Sequence, residues 1–234
     1  MSESGTRRSV GRPQTGQAED PGLRKTILQS CLDAIAIYGL PKFSLKDVSR
    51  LAGVSPASIY YHFGNKETLH RKTLEHYFLP IFEHADSVVR NYDNAMEILA
   101  RLFLNIQEPT QRDPKVLKLY VDEAFQKHNL LRETMRHHYP ATGLAIILAK
   151  IRKAQEEGVL KAGLEPEFIC LWALSGGLFC TGCHSQWEDY WDHPLDRSKA
   201  RDNYLFMFCI SIEGPRCDYD WRANLFPDGL PTKD

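Results

Sequence analysis

Apolar positions along the chain recur every three to four residues, the period of a helix with one buried face, and no stretch alternates in the manner of a strand. Asp20-Pro21 supplies an N-cap followed by proline at the first helical position. Leu23, Ile27, Cys31, Ile35 and Tyr38 then form one apolar face, and Gly39 and Pro41 stop the helix. Ser44, with Asp47 three residues on, is a capping-box pattern. It opens a short second helix with Val48, Leu51 and Ala52 as its stripe, broken at Gly53. Ser55-Pro56 starts a third helix carrying Ile59, Tyr60 and Phe63. Gly64-Asn65 ends that helix and caps a fourth at Lys66-Glu67.

The helical period continues beyond residue 66. Thr73-Leu74, Tyr77-Phe78, Ile81-Phe82 and Ala85 extend an apolar face, with Pro80 expected to kink or break it. Met96, Leu99, Phe103 and Ile106 predict a helix ending before Pro109. Asp113-Pro114 caps the next, with Leu117, Tyr120, Val121, Ala124 and Phe125. Residues 142–157 carry Leu144, Ile147, Leu148 and Ile151 and end at Gly158. Residues 166–187 are the most apolar stretch, and a last helix near 197–212 holds Tyr204, Leu205, Phe208 and Ile212. The tail after Gly214-Pro215 reads as irregular, although Tyr219, Trp221 and Phe226 suggest that it packs on something. The fold class is all-α: an N-terminal three-helix domain at residues 20–66 and a larger helical domain at 67–213. They are flanked by a disordered basic arm at 1–19 and the irregular tail at 214–234.

Three capped helices within about 45 residues, the middle pair joined through Ala52-Gly53-Val54-Ser55, have helix-turn-helix spacing. A generic three-helix bundle has the same spacing, so charge is the next test. Residues 1–66 hold nine Lys/Arg against five Asp/Glu, a net of +4, which leaves −5 for residues 67–234 out of a total of −1. A basic head on an acidic body suits phosphate contact at one end only. No apolar run reaches the length of a membrane span and the N-terminus lacks a signal-peptide core, so a cytoplasmic location is expected. The six cysteines then read as free thiols.

Residues 44–67, SLKDVSRLAGVSPASIYYHFGNKE, resemble the signature of the TetR family of regulators. The matching elements are the Ser44 cap, the Ala52-Gly53-Val54 turn, Tyr60-Tyr61-His62-Phe63 and Asn65-Lys66-Glu67. Gly11-Arg12-Pro13 is similar to the arms that often precede this domain. Beyond residue 80 the likeness is one of architecture alone. The resemblance implies a homodimer, a recognition helix in the major groove of a double-stranded DNA operator, and a C-terminal domain whose small-molecule effector alters the spacing of the two heads. That implies a repressor released from a palindromic operator. It implies no cofactor, no metal and no catalysis.

On that reading Ser44 and Lys46, at the start of helix two, meet phosphate, as does Lys66 at the start of helix four. Tyr60 and His62 bond the DNA backbone, and Ser55, Pro56, Ala57, Ser58 and Tyr61 face the groove. The recognition helix has no Arg, Asn or Gln, which removes bidentate base readout and leaves thymine methyls, hydroxyls and DNA shape. Arg7, Arg8 and Arg12 would add minor-groove contacts if the arm orders.

Other candidate residues lie in the larger domain. Phe103, Tyr120, Phe125, Met135, His138 and Tyr139 are the expected ligand pocket. Trp172, Ser175, Gly176 and Phe179, with Tyr204 and Phe208, are the expected four-helix dimer interface, with an intramolecular packing notch as the alternative for the small residues. Cys180, Cys183 and His184 superficially match covalent haem attachment, and their spacing also permits a metal or redox role. Such residues inside an apolar helix more often pack as core. Two rival functions stay open: a protein-binding module that kept the helix-turn-helix without DNA affinity, and a metal or redox sensor using those three residues. An enzyme is disfavoured, because no nucleophile, base and orienting group can be placed together.

Overall fold

The computed structural model describes residues 21–138, 142–182 and 197–228. These form eleven helices: α1 (Pro21–Tyr38), α2 (Leu45–Ala52), α3 (Pro56–Phe63), α4 (Lys66–Asn91), α5 (Ala95–Arg112), α6 (Pro114–Ala124), α7 (Leu130–His138), α8 (Thr142–Glu156), α9 (Pro166–Gly182), α10 (Arg197–Ile212) and α11 (Trp221–Leu225). The extended pairing among the described residues is a single antiparallel bridge, Leu160 to Glu213. The fold is all-α, and no described helix is long and apolar enough to cross a membrane.

Two apolar cores organise the helices. One gathers Ile27, Leu32 and Ile35 of α1, Val48, Ile59 and Phe63 of α2 and α3, and Leu69, Leu74 and Phe78 of α4. It also takes in Val116 and Leu119 of α6, Leu131 of α7 and Leu178 of α9. The other joins the end of α4 to α5, α8, α9, α10 and α11. The boundary expected at residue 66 therefore marks a helix start and not a gap in packing, because α4 runs on into the body and α6 reaches back into the head.

Several local expectations change. Neither proline ends its helix: α4 continues through Pro80 and α5 through Pro109, where the N–H of Asp113 still reaches the Pro109 carbonyl at 3.1 Å. A proline deletes one backbone bond and crowds one turn, and packing on both sides keeps the helix going. Helix α7 has no counterpart in the sequence pattern. It is nine residues long with Leu131 and Thr134 as its buried positions, too few to print a period. In α2 the buried pair is Val48 and Ser49, while Leu51 is exposed. The Ser49 hydroxyl escapes an unpaired burial by donating to the Val54 carbonyl at 2.6 Å.

The tail is more ordered than its composition suggests. Trp221 is fully buried against Phe206 and Phe226. Its indole N–H donates to Glu213 at 3.1 Å, and Arg222 grips the same carboxylate with two contacts of 2.8 Å. The hydrogen bonds from Arg222, chiefly, hold the Glu213 carboxyl below its ordinary value of 4.5. A carboxyl depressed in the folded state adds stability above its unfolded value and loses it as pH falls. Wild-type protein should therefore lose more stability on acidification than Glu213→Gln, measured as unfolding midpoints across a pH series below 4.5.

The C-terminus of α4 is closed from outside. Lys150 of α8 donates to the Val89 carbonyl at 3.0 Å and to the Tyr92 carbonyl, and lies 3.3 Å from Asp93. A cation over the last carbonyls of a helix is favoured by its dipole. Lys150→Met keeps the stem and removes the donors. It should lower unfolding free energy by about 1–3 kcal/mol in denaturant titration.

Candidate nucleic-acid interface

The helix-turn-helix is built by local chemistry at the ends of α2 and α3. Ser44 and Asp47 form a full capping box at α2: the Ser44 Oγ accepts the Asp47 N–H at 3.3 Å, and the Ser44 N–H reaches the Asp47 carboxylate at 3.1 Å. The hydrogen bond from the Ser44 hydroxyl is the main reason that the Asp47 carboxyl lies below its usual range. Gly53 closes α2 with φ of +67°, a conformation that costs any side chain strain. Ser55 caps α3 by accepting the Ser58 N–H at 3.1 Å, with Pro56 at the first helical position. Ile59 and Phe63 go into the head core. That anchoring turns the other side of α3 outward: Ser55, Pro56, Ala57, Tyr60 and Tyr61 are exposed, Tyr61 by 75%. Ser58 and His62 are half-buried. The Nδ1 of His62 is buried without a hydrogen-bond partner, and its ring meets Tyr61 edge-on at 5.1 Å.

The structure separates the expected phosphate-contacting residues. Lys46 is exposed. The Ser44 hydroxyl is committed to Asp47, to which it donates at 2.5 Å. Lys66 is drawn inward, its Nζ 4.2 Å over the Phe43 ring and 3.4 Å from the Pro41 carbonyl. The ammonium thereby ties the start of α4 to the turn before α2. Arg50 is a further cation that the sequence reading passes over. It lies one turn after Lys46 on the same face of α2, bonded to the Tyr38 hydroxyl and 3.6 Å from Asp47. Its i, i+4 spacing from Lys46 is the signal that could have found it.

Of the described residues expected to line one pocket, Tyr120 and Met135 come together and the others lie apart. Phe103 is buried and stacks on Phe208 at 5.7 Å, as core. Phe125 is 85% exposed beyond the end of α6, and His138 is exposed at the end of α7, 3.9 Å from Glu75. Tyr120 and Met135 share a small hollow with Leu131, and Tyr139 lies outside the described residues. The larger cleft, about 440 Å³, lies between α4 and α5 and is lined by His76, Tyr77, Pro80, Ile81, His84 and Arg101, among others. Pro80 and Pro109 each lack an N–H, so the carbonyls of His76 and Asn105 lose their helical partners beside this cleft. Burial, then nearby Lys25, holds the His76 imidazole below its usual value. Arg101 is clamped by Glu97 at 2.9 and 2.7 Å.

Two of the expected interface residues point inward. Phe208 is buried against Phe103 and Trp172, and a Cβ on Gly176 would lie 2.8 Å from Phe103 Cε2, so this glycine makes room for the chain's own core. Trp172 and Ser175 are half-buried, and Tyr204 is exposed. The side chain of Phe179 and that of Cys180 lie outside the described residues, as do Cys183 and His184. Helices apolar on every side print no preferred face, so the sequence does not separate core-facing from outward-facing positions here. The exposed apolar residues are Phe168 and Leu171 on α9 with Tyr204, Met207 and Ile210 on α10.

Gly53 gives a direct check on this geometry. Nothing lies within 4 Å of a Cβ built there, so Gly53→Ala is opposed by backbone conformation alone. It should lower stability by about 1–2 kcal/mol in thermal or denaturant unfolding.

Comparison with known proteins follows the same division of head and body. Residues 27–72 match the family model for bacterial regulatory proteins, tetR family. The biofilm operon icaADBC negative transcriptional regulator IcaR of Staphylococcus epidermidis is 26% identical over 116 residues, 50% of this chain and 60% of IcaR. The transcriptional repressor KstR2 of Mycolicibacterium smegmatis is 26% identical over 101 residues, 43% of this chain and 49% of KstR2. The chain thus spans roughly half of each curated relative. The crystal structure of the regulator FadR from Bacillus subtilis, in complex with stearoyl-CoA, superposes with a TM-score of 0.59 at 17% identity, covering 79% of this chain and 97% of that one. With its capped helix-turn-helix head on an all-helical body, the chain is similar to the TetR family of bacterial regulatory proteins, whose family model its residues 27–72 match.

Proposed function

We propose that the chain is a homodimeric transcriptional repressor that grips a palindromic operator with α3 and lets go when a small molecule binds its body. The observation that carries this is the outward face of α3, where Ser55, Pro56, Ala57, Tyr60 and Tyr61 stand exposed while Ile59 and Phe63 anchor the helix from behind. A short helix presented in this way fits the major groove. Lys46 and Arg50, on one face of α2, supply the phosphate contacts. Tyr61 reads bases and shape, and the unpartnered His62 Nδ1 is a group that a backbone contact would satisfy. Lys66 acts from within by fixing the angle between α4 and the turn before α2.

Repression is supported by the names of the two curated relatives, a negative regulator and a repressor. Response to an effector is supported by the ligand-bound FadR structure and by the cleft between α4 and α5, whose about 440 Å³ suits a small molecule. Dimerisation is supported by the exposed apolar positions Phe168 and Leu171 on α9 and Tyr204, Met207 and Ile210 on α10, which fall on one face of each helix. Two copies would set two recognition helices about one helical turn of DNA apart, roughly 34–36 Å, or a multiple of that.

Fluorescence anisotropy against duplexes enriched from a randomised library, repeated over a salt series, tests the reading. Wild-type protein should show a steep log–log salt slope. Lys46→Ala should weaken binding to every duplex and reduce the slope by about one. Tyr61→Ala should reorder preference among the enriched duplexes with the slope unchanged. Binding without salt dependence would leave a protein-binding module as the better account, and uniform losses in both variants would remove direct reading by α3.

A further inference from the structure

Helix α6 lies across the head and is fastened to it at both ends. At its start the Lys115 ammonium pairs with Asp33 of α1 at 2.6 Å, and Gln29 of α1 donates to Asp113 at 3.4 Å. Its middle sends Val116 and Leu119 into the head core. At its far end stands Glu123, whose carboxylate is almost wholly buried. One of its oxygens accepts the Leu131 N–H at 3.0 Å, in the first turn of α7. The other faces the Nε2 of His70 on α4 at 3.1 Å, and the His70 side chain is itself more than nine-tenths buried. Neither of these two buried atoms has a hydrogen-bond partner elsewhere, so their close approach is the polar contact that each has. His70 also meets Phe43 edge-on at 6.1 Å, the ring that carries Lys66 on its face.

This cluster therefore joins body to head through Glu123, His70, Phe43 and Lys66. Beside it is an open cleft of about 310 Å³, bordered also by Glu67, Gln126 and His128. Val116 and Leu119 hold the middle of α6 to the head by shape, and the cleft leaves the end at Glu123 without such packing on that side. An apolar contact in its place could slide, whereas two buried polar groups have one seat, since each is costly to bury without a polar neighbour.

We propose that His70 and Glu123 are positioning residues for DNA binding. The pair fixes the angle of the head on α6 and α7, and through it the relative placement of the two recognition helices of a dimer. The proposal rests on the operator-binding reading above. It assigns the pair to the geometry of two-site binding and not to the contact that either head makes alone.

The variant His70→Leu/Glu123→Gln tests it, because the amide oxygen still accepts the Leu131 N–H and the leucine fills the imidazole's place. The full-length variant and wild type are titrated with the duplex enriched by wild type and with a shortened duplex holding one half-site, after circular dichroism shows both proteins folded. The expected result is about a tenfold fall in the ratio of full-site to half-site affinity, as two linked contacts lose their match. Half-site affinity and its salt slope should stay within about twofold of wild type. An unchanged ratio, or equal loss on both duplexes, overturns the proposal. Should the double variant not fold, Glu123→Gln alone is titrated in the same way, and the same results support or overturn the proposal. If wild type itself enriches no duplex, the operator-binding reading falls, and the positioning role with it.

Discussion

Three short helices bury little apolar surface of their own, and in this chain their core is completed from outside. Val116 and Leu119 of α6, Leu131 of α7 and Leu178 of α9 complete the core around Ile27, Ile59 and Phe63. The outward face of α3 depends on that packing, since only a helix anchored from behind presents Tyr60 and Tyr61 at a fixed angle. The same packing means that the head moves with the helices that complete it. Whatever shifts α6 or α7 acts on the outward face of α3 through contacts already in place, with no flexible linker between.

The arrangement of cleft and seam follows from this. Helix α4 belongs to both cores, contributing Leu69, Leu74 and Phe78 to one and Val88 and Val89 to the other. Its C-terminal end is closed by Lys150, and its middle carries Pro80 beside the cleft shared with α5. A helix pinned at one end, weakened by one missing backbone bond in the middle and tied to α6 through His70 is a mechanically simple link from cleft to head. The described thiols in the cores take no visible part. Burial pushes Cys31 and Cys209 up to about 12 and Cys170 to about 11, which keeps them as thiols, packed as small hydrophobes.

The helix-turn-helix was legible because its determinants are local. Ser44 and Asp47, Gly53, Ser55-Pro56 and Asn65 each act within four residues of themselves, so caps and turns can be read in order along the chain. The buried face of α3 was legible for the same reason. The roles of Ser44 and Lys66 were not, since both side chains are claimed by partners whose hold shows only in the folded head: Asp47 for the hydroxyl, Phe43 and Pro41 for the ammonium. The pocket residues failed in a different way. Phe103, Tyr120 and Phe125 share the apolar look of a cavity lining, yet one is core, one borders a small hollow and one is exposed.

The all-helical fold, the ends of the first three helices, the start of the fourth and the residues that α3 buries and exposes follow from the order of amino acids alone, because backbone capping and helical period act over a few residues. Packing settles the rest: Pro80 and Pro109 sit inside unbroken helices, Gly176 and Phe208 face the chain's own core, and His70 meets Glu123 across 53 residues of chain. Those outcomes depend on which surfaces meet when long helices pack. A helix apolar on every side, or a lone buried polar side chain, carries no mark of its partner until the fold supplies one.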